Sequence, residues 1–232
     1  MRLDKYLADM GFGTRNEAKK LIRSKAVSVN GLLAKNGDMK IDENNDVICV
    51  DGEQVAYQKY VYLMLNKPQG YVSATQSSVP TVMDLIQEKF RDMFPCGRLD
   101  KDTEGLLLIT NDGLLAHQLL SPKKHVDKEY YIELEKPATE GDIQAFEKGI
   151  VIDGGEKCAP AVLKIVDGNS CTLVIQEGKF HQVKRMFEAR GNRVTYLKRT
   201  RMKNLVLDES LEPGEYRYLT DDELVGLKES CN

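Results

Sequence analysis

The sequence predicts an α+β protein in two parts, a small N-terminal α/β module followed by a larger domain with a mixed, mostly antiparallel sheet. Three observations carry this. Apolar runs of strand length outnumber helical patterns. Most are joined by hairpin-sized connections, marked by Asn30-Gly31, Asp51-Gly52 and Asp167-Gly168. The 232 residues suit a small module plus a medium domain.

Leu3, Tyr6, Leu7 and Met10 fall at helical spacing and stop at the Gly11-Phe12-Gly13 break. Thr14 to Glu17 then has the form of a capping box, opening a second helix with Ala18, Leu21 and Ile22 inward. That leaves Arg15, Lys19, Lys20 and Arg23 as an exposed basic ridge. Val27 to Val29 and Leu32-Leu33 flank the first hairpin turn, and a second turn follows Val47 to Val50. Ala56 to Tyr60 reads as a linker, dividing residues 1–56 from residues 60–232. Beyond it, Val61 to Leu65 predicts a buried strand ending at the turn formers Pro68 and Gly70. Leu85 to Phe90 predicts a helix, Leu106 to Ile109 a strand and Leu114 to Leu120 a helix. Tyr130 to Leu134 alternates as a strand, Asp142 to Lys148 is helical, and Val162 to Val166 pairs with Cys171 to Ile175. His181 to Arg190 predicts a basic helix, and Val194 to Val206 returns to extended structure. No internal repeat or glycine-rich phosphate loop is present.

Five cysteines, Cys49, Cys96, Cys158, Cys171 and Cys231, are odd in number and form no CxxC pair, which speaks against a disulfide framework and a zinc ribbon. They read as reduced packing residues. His117, His125 and His181 lack ligand spacing, so no metal is expected. No stretch reaches the roughly 18 apolar residues of a membrane helix, and no signal-peptide core follows the start. A soluble, cytoplasmic protein is expected, and a monomer, since no long heptad or apolar stripe is evident.

The net charge of −3 conceals a strong local imbalance. Residues 1–40 carry a net +5 and the remainder −8, yet within that remainder residues 179–203 hold nine basic residues against Glu188 alone. Two basic patches on an acidic body suggest a polyanion gripped at two places. Lys179, Arg185, Arg190 and Arg193 would contact phosphates, with Arg199, Arg201 and Lys203 extending that surface. Each run taken alone also fits a solvated face.

The most informative stretch runs from Gly97 to Gly113, where Asp100, Asp102 and Glu104 crowd with Arg98 and Lys101 just before an apolar strand. A loop held at a sheet edge is a common way to present functional groups, although the segment also fits a salt-bridged surface turn. Gly97-Arg98-Leu99-Asp100, continuing through Thr103 and Gly105-Leu106-Leu107-Leu108, resembles the defining motif of the pseudouridine synthases of the ribosomal small-subunit type. The resemblance makes Asp100 the essential carboxylate. Three further segments resemble that family's motifs in order. Leu65 to Gly70 matches the element that supports the catalytic loop. Lys128-Glu129-Tyr130 matches the Lys-x-Tyr element, whose ring packs on the target base. Glu177 to Met186 matches the segment whose cation lies against the aspartate, here Lys184 where many relatives outside this subfamily have arginine. Leu205 and the run Leu211 to Arg217 resemble the closing motif, whose leucine lines the pocket. At the N-terminus, Arg2 to Leu7 and Val27 to Gly31 resemble the S4 RNA-binding domain, which makes Arg2, Arg15, Lys19, Lys20 and Arg23 RNA contacts.

The implied reaction breaks the N1–C1′ bond of a uridine, turns the uracil and rejoins it through C5, with no redox change and no cofactor. It needs a carboxylate in a mostly apolar pocket, acting on the ribose or the base, and a cation to balance its buried charge. Because the reacting atoms are stacked in RNA, the nucleotide must first be extruded. Tyr130 then offers a stacking face and assistance in losing the C5 proton, and on spacing alone it also fits a core aromatic. Arg98 either holds the flipped nucleotide or pairs with an acid. Leu120 to Lys123, His125 and Lys157 to Leu163 most resemble the 16S rRNA pseudouridine synthase A group, with the assembling small ribosomal subunit as partner. The alternatives are a large-subunit (23S) synthase and a non-catalytic RNA-binding assembly factor.

Overall fold

Leu3, Tyr6 and Leu7 are buried on one side of the first helix, α1 (Leu3–Asp9), in a computed structural model that describes residues 1–88 and 90–229. Glycines with left-handed backbone at Gly11 and Gly13 end it. The capping box then starts α2 (Arg15–Arg23): the Thr14 hydroxyl accepts from the Glu17 amide at 3.3 Å and Glu17 accepts from the Thr14 amide at 2.6 Å. Four short strands follow, β1 (Val27–Val29), β2 (Leu32–Leu33), β3 (Ile48–Val50) and β4 (Glu53–Gln54), in the order β2-β1-β3-β4 and all antiparallel. Both hairpin turns have two consecutive positive φ values, at Asn30-Gly31 and Asp51-Gly52, the geometry that matches strand twist. Ala18 and Ile22 of α2 meet Val27, Val29 and Ile48 in one core with α1. Asp4 is fully buried among cations, with Arg2 at 2.8 Å, Arg15 at 2.9 Å and Lys19 at 3.7 Å. The segment read as a linker is not free of structure: the ring of Tyr57 packs on Tyr6 at 5.2 Å.

The chain folds as two compact units, residues 1–61 with 87–93, and residues 62–86 with 94–232. In the second unit β5 (Tyr62–Lys67) is buried along its whole length. The helix expected over Leu85 to Phe90 is absent from the described residues, Lys89 lying outside them. A 3₁₀ turn over Val82–Leu85 takes its place, because Asp84 caps the Thr81 amide at 2.7 Å and Ile86 is already extended. Then come β6 (Phe94–Cys96), β7 (Glu104–Thr110), α3 (Gly113–Leu120), β8 (Lys128–Leu134), α4 (Glu140–Glu147), β9 (Val151–Ile152) and β10 (Glu156–Lys157). The chain continues as β11 (Val162–Asp167), β12 (Ser170–Ile175), α5 (Gln182–Glu188), β13 (Val194–Met202), β14 (Leu205–Val206), β15 (Tyr216–Tyr218) and α6 (Asp221–Lys228). β6, β9, β10, β15 and α6 are additions to the elements that the residue pattern predicts.

The nine-stranded sheet has the order β11-β12-β8-β13-β7-β5-β15, with β14 added to β13 and β6 to β7. Every described pairing in it is antiparallel except that of β13 with β7. This single parallel pairing is tight. Gly105 lies opposite Arg199, and a Cβ there would meet the Arg199 carbonyl oxygen at 2.2 Å and its amide nitrogen at 2.8 Å, so only glycine admits β13. Cys49 is half-buried and Cys96, Cys158 and Cys171 are buried, all as free thiols; Cys231 lies outside the described residues.

Candidate active site

The loop joining β6 to β7 carries Arg98, Leu99, Asp100 and Asp102, and its shape is set by groups from β5 and the turn after it. Lys67, at the end of β5, is completely buried and directs its ammonium at backbone carbonyls of Pro68 (3.0 Å), Asp100 (3.0 Å), Lys101 (3.4 Å) and Thr103 (2.7 Å). Burial pushes its pKa down to about 8, with the charges of Asp102 and Asp100 resisting. The Gly70 amide donates to the Lys101 carbonyl at 2.8 Å, and the Ser73 hydroxyl accepts from the Leu99 amide and donates to its carbonyl, both at 3.0 Å. Leu99 packs inward and Asp100 is left facing a cavity.

The opposing wall comes from α5. Val183, Met186 and Phe187 are buried at helical spacing, Phe187 edge-on to Phe146 at 5.0 Å, which turns Lys184 toward the loop. Its ammonium lies 3.2 Å from Asp100 Oδ2 and 2.6 Å from Asp102 Oδ1. Burial opposes the charge on Lys184, but the hydrogen bond to Asp102 and the field of Asp100 outweigh it and hold the group above the ordinary lysine range. His181 Nε2 is 3.7 Å from Asp100 Oδ1. Tyr130, buried on β8, lines the same cavity with Arg98, Asp100, Thr103, Lys179, His181 and Leu197. Asp100, Tyr130 and Lys184, far apart in sequence, thus meet at one place.

A roomier hollow of about 500 Å³ lies elsewhere, lined by Ala8, Gly11, Thr14, Arg15, Glu17 and Arg91. Its carboxylate, Glu17, is committed to the capping box, so the chemistry belongs to the smaller cavity.

The other expected contacts fare differently. Arg98 is exposed and lines the cavity. Leu205 is wholly buried, paired with Met202, and is not among the cavity's lining residues; Leu197 takes that position. Lys179 lines the cavity but pairs with Glu177 at 3.2 Å and Glu156 at 3.4 Å. Arg185 is held by Asp153 and by Glu156 at 3.2 Å, and Arg190 by Asp142 at 2.7 Å. Two expectations are corrected outright. Arg199 is buried, its Nε donating to the Leu106 carbonyl at 2.8 Å where β13 leaves the edge of β7 and β6 takes over. Lys203 caps the end of α6 through the carbonyls of Gly226, Leu227 and Glu229. In the first unit Arg2, Arg15 and Lys19 turn toward Asp4, while Lys20 and Arg23 are exposed; Lys19 and Arg23 line a hollow with Lys35, Asn36 and Asp38. Sequence reading missed His181, Asp102 as second partner of Lys184, and the anchoring ammonium of Lys67.

The model of the RNA pseudouridylate synthase family matches residues 61–189, the stretch that holds this whole constellation. The chain belongs to that family. An S4 domain model matches residues 1–47 of this pseudouridylate synthase. An uncharacterized RNA pseudouridine synthase of Bacillus subtilis is 49% identical, covering 99% of each chain. The ribosomal small subunit pseudouridine synthases A of Haemophilus influenzae and Escherichia coli are 42% and 40% identical; the alignments span 97% and 98% of this chain and 98% and 100% of theirs. A crystal structure of a pseudouridylate synthase superposes with a TM-score of 0.69 at 41% identity, covering 98% of this chain and 99% of that one. Among the described residues of this synthase no helix is long and apolar enough to cross a membrane.

Proposed function

We propose that this chain converts one uridine of 16S ribosomal RNA to pseudouridine, with Asp100 as the catalytic carboxylate. The observation that carries the reading is the meeting of Asp100 and Tyr130 in one cavity with the Lys184 ammonium 3.2 Å from the acid. The carboxylate works on an extruded nucleotide as the C1′–N1 bond breaks. The uracil turns, C1′ bonds to C5, and the C5 proton leaves while N1 regains one, so atoms and electrons balance without a cofactor. Tyr130 supplies the stacking face and assists proton loss, and Lys184 balances the acid's charge in a partly desolvated site. Arg98, exposed at the cavity, holds the extruded nucleotide.

The choice of small-subunit RNA rests on the two synthases A, similar over nearly their whole length. In this reading residues 1–56 are an RNA-binding module acting through Lys20, Arg23 and their neighbours on backbone phosphates, and residues 60–232 are the catalytic domain. The enzyme works as a monomer in the cytoplasm, where small subunits assemble. The test uses small-subunit RNA, free and in partly assembled particles, carrying tritium at uracil C5. Wild type releases tritium to water and Asp100→Asn does not. Mapping the modified position in the same sample identifies the uridine, and modification confined to large-subunit RNA overturns the choice of substrate.

A further inference from the structure

The turn leading into α5 carries two aromatic rings for which the chemistry above has no use. The ring of Phe180 stacks on that of His181, centroids 3.8 Å apart and planes 19° from parallel, yet Phe180 remains 73% exposed. A single apolar side chain in solvent needs no explanation. This pair differs because it is built in place. His181 takes a left-handed backbone, φ 49°, a strained conformation for a residue with a Cβ. The Phe180 carbonyl accepts from Arg185 Nη1 at 2.9 Å, and Arg185 is itself fixed by Asp153 and Glu156. One residue to each side, Gln182 accepts from the Lys179 amide at 2.9 Å and donates to Glu177 at 2.7 Å. The turn is therefore rigid, and its outer face is an aromatic surface.

His181 belongs to two places at once. It lines the cavity, with Nε2 3.7 Å from Asp100, and it backs the ring of Phe180. The His181 ring is thus shared between the cavity for an extruded uracil and the inner face of Phe180, whose outer face is open. We infer that Phe180 and His181 form a stacking platform for a nucleobase next to the target uridine, with the stacked pair between the two bases. This rests on the RNA-isomerase reading above and deepens it. The ligand class follows from the chemistry of the face. A phenyl ring offers no hydrogen bond, so it selects a flat π surface without regard to base identity, and stacking of this kind is sequence-tolerant. The platform thus grips the strand beside the reacting nucleotide and leaves sequence choice to other contacts. In this arrangement Arg185 positions the platform and is spent on protein groups rather than on phosphate.

The test measures tritium release from C5-labelled small-subunit RNA by the full chain and by Phe180→Ala, Phe180→Leu and Phe180→Trp. Loss of one base stack raises KM about tenfold in the alanine variant, within the range alanine substitution shows for such contacts, with the effect on KM rather than kcat. Leucine follows alanine, since it restores apolar bulk without a π face, and tryptophan stays near wild type. Replacing the flanking nucleotides one at a time with 2-aminopurine gives a second readout: its fluorescence is quenched on binding to wild type and not to Phe180→Ala. An active wild type with an alanine variant that matches it overturns the platform and leaves the isomerase standing. Full rescue by leucine also overturns it, in favour of simple apolar packing. A wild type that releases no tritium brings down both.

Discussion

Asp4 and Asp100 are both carboxylates set among cations, and they are put to opposite uses. Asp4 is fully buried and meets two guanidiniums and an ammonium within 3.7 Å. Hydrogen bonds from Arg2 come first, and with Arg15 they overcome desolvation and hold its carboxyl well below the usual carboxylate range. Both oxygens are engaged by cations, so the group can only hold structure. Asp100 keeps 27% of its side chain open to the cavity and has one close cation, which Asp102 draws nearer to itself, at 2.6 Å against 3.2 Å. Its carbonyl, not its carboxylate, takes the anchoring bond from Lys67. The contrast teaches that counting charges around an acid says little; whether its oxygens are saturated decides between scaffold and reagent.

The sharpest way to break this comparison is to remove each acid in turn. Asp100→Asn lowers tritium release by at least about a thousandfold, since the side chain that meets the reacting nucleotide is gone, while thermal melting barely moves. Retained turnover with a lowered melting temperature would assign Asp100 the scaffold role of Asp4 instead. Next in size is Lys184→Met, expected to cut kcat about a hundredfold, the usual loss for one preorganised electrostatic contact, while RNA affinity measured by filter binding changes little. A variant that binds poorly but turns over normally contradicts the pairing with Asp100.

Lys67→Met sharpens the comparison from the backbone side. It takes the Lys67 donor from the carbonyls of Thr103 and Pro68, while those of Asp100 and Lys101 keep the Thr103 and Gly70 amides; the cost is about 3 kcal/mol in chemical denaturation, and kcat falls with the loosened loop. The smallest effect belongs to Asp4→Asn, about 2 kcal/mol at neutral pH. Because the fold lowers this carboxyl's pKa, its contribution is fully present above the unfolded value near 4 and disappears as pH falls through the lower folded value. Wild type therefore loses stability in acid more steeply than Asp4→Asn, and parallel curves would show that the cations around Asp4 contribute nothing.

Much of the site was legible because its members are contiguous signals: Arg98-Leu99-Asp100, Lys128-Glu129-Tyr130 and Lys184 all announce themselves within a few residues. The basic stripe of residues 179–203 was misread for the converse reason. Asp142, Asp153, Glu156 and Glu177, which neutralise Arg190, Arg185 and Lys179, lie outside that window and reach it only through the fold. Arg199 did carry a local warning, since it shares its strand face with Leu197, two residues earlier, and both are buried. So did α6, whose Thr220 and Glu223 form a capping box. The expected helix at Leu85 failed where a short capped turn competes with helical spacing, a contest that apolar periodicity alone does not decide.

Gly105 has a reach well beyond its own size. Asp100 hangs from the start of β7 and Lys184 from the helix that feeds β13, so the spacing of those two strands acts as the calliper between acid and ammonium. The two nearest obstacles to a methyl group at this point are main-chain atoms of Arg199, which no rotamer change elsewhere can move aside. A side chain here prises the calliper open, and displacement on the order of 1 Å is enough to cost a hundredfold in rate with every reacting group still present. A tight tolerance in the enzyme therefore belongs to a residue with no side chain to offer the chemistry.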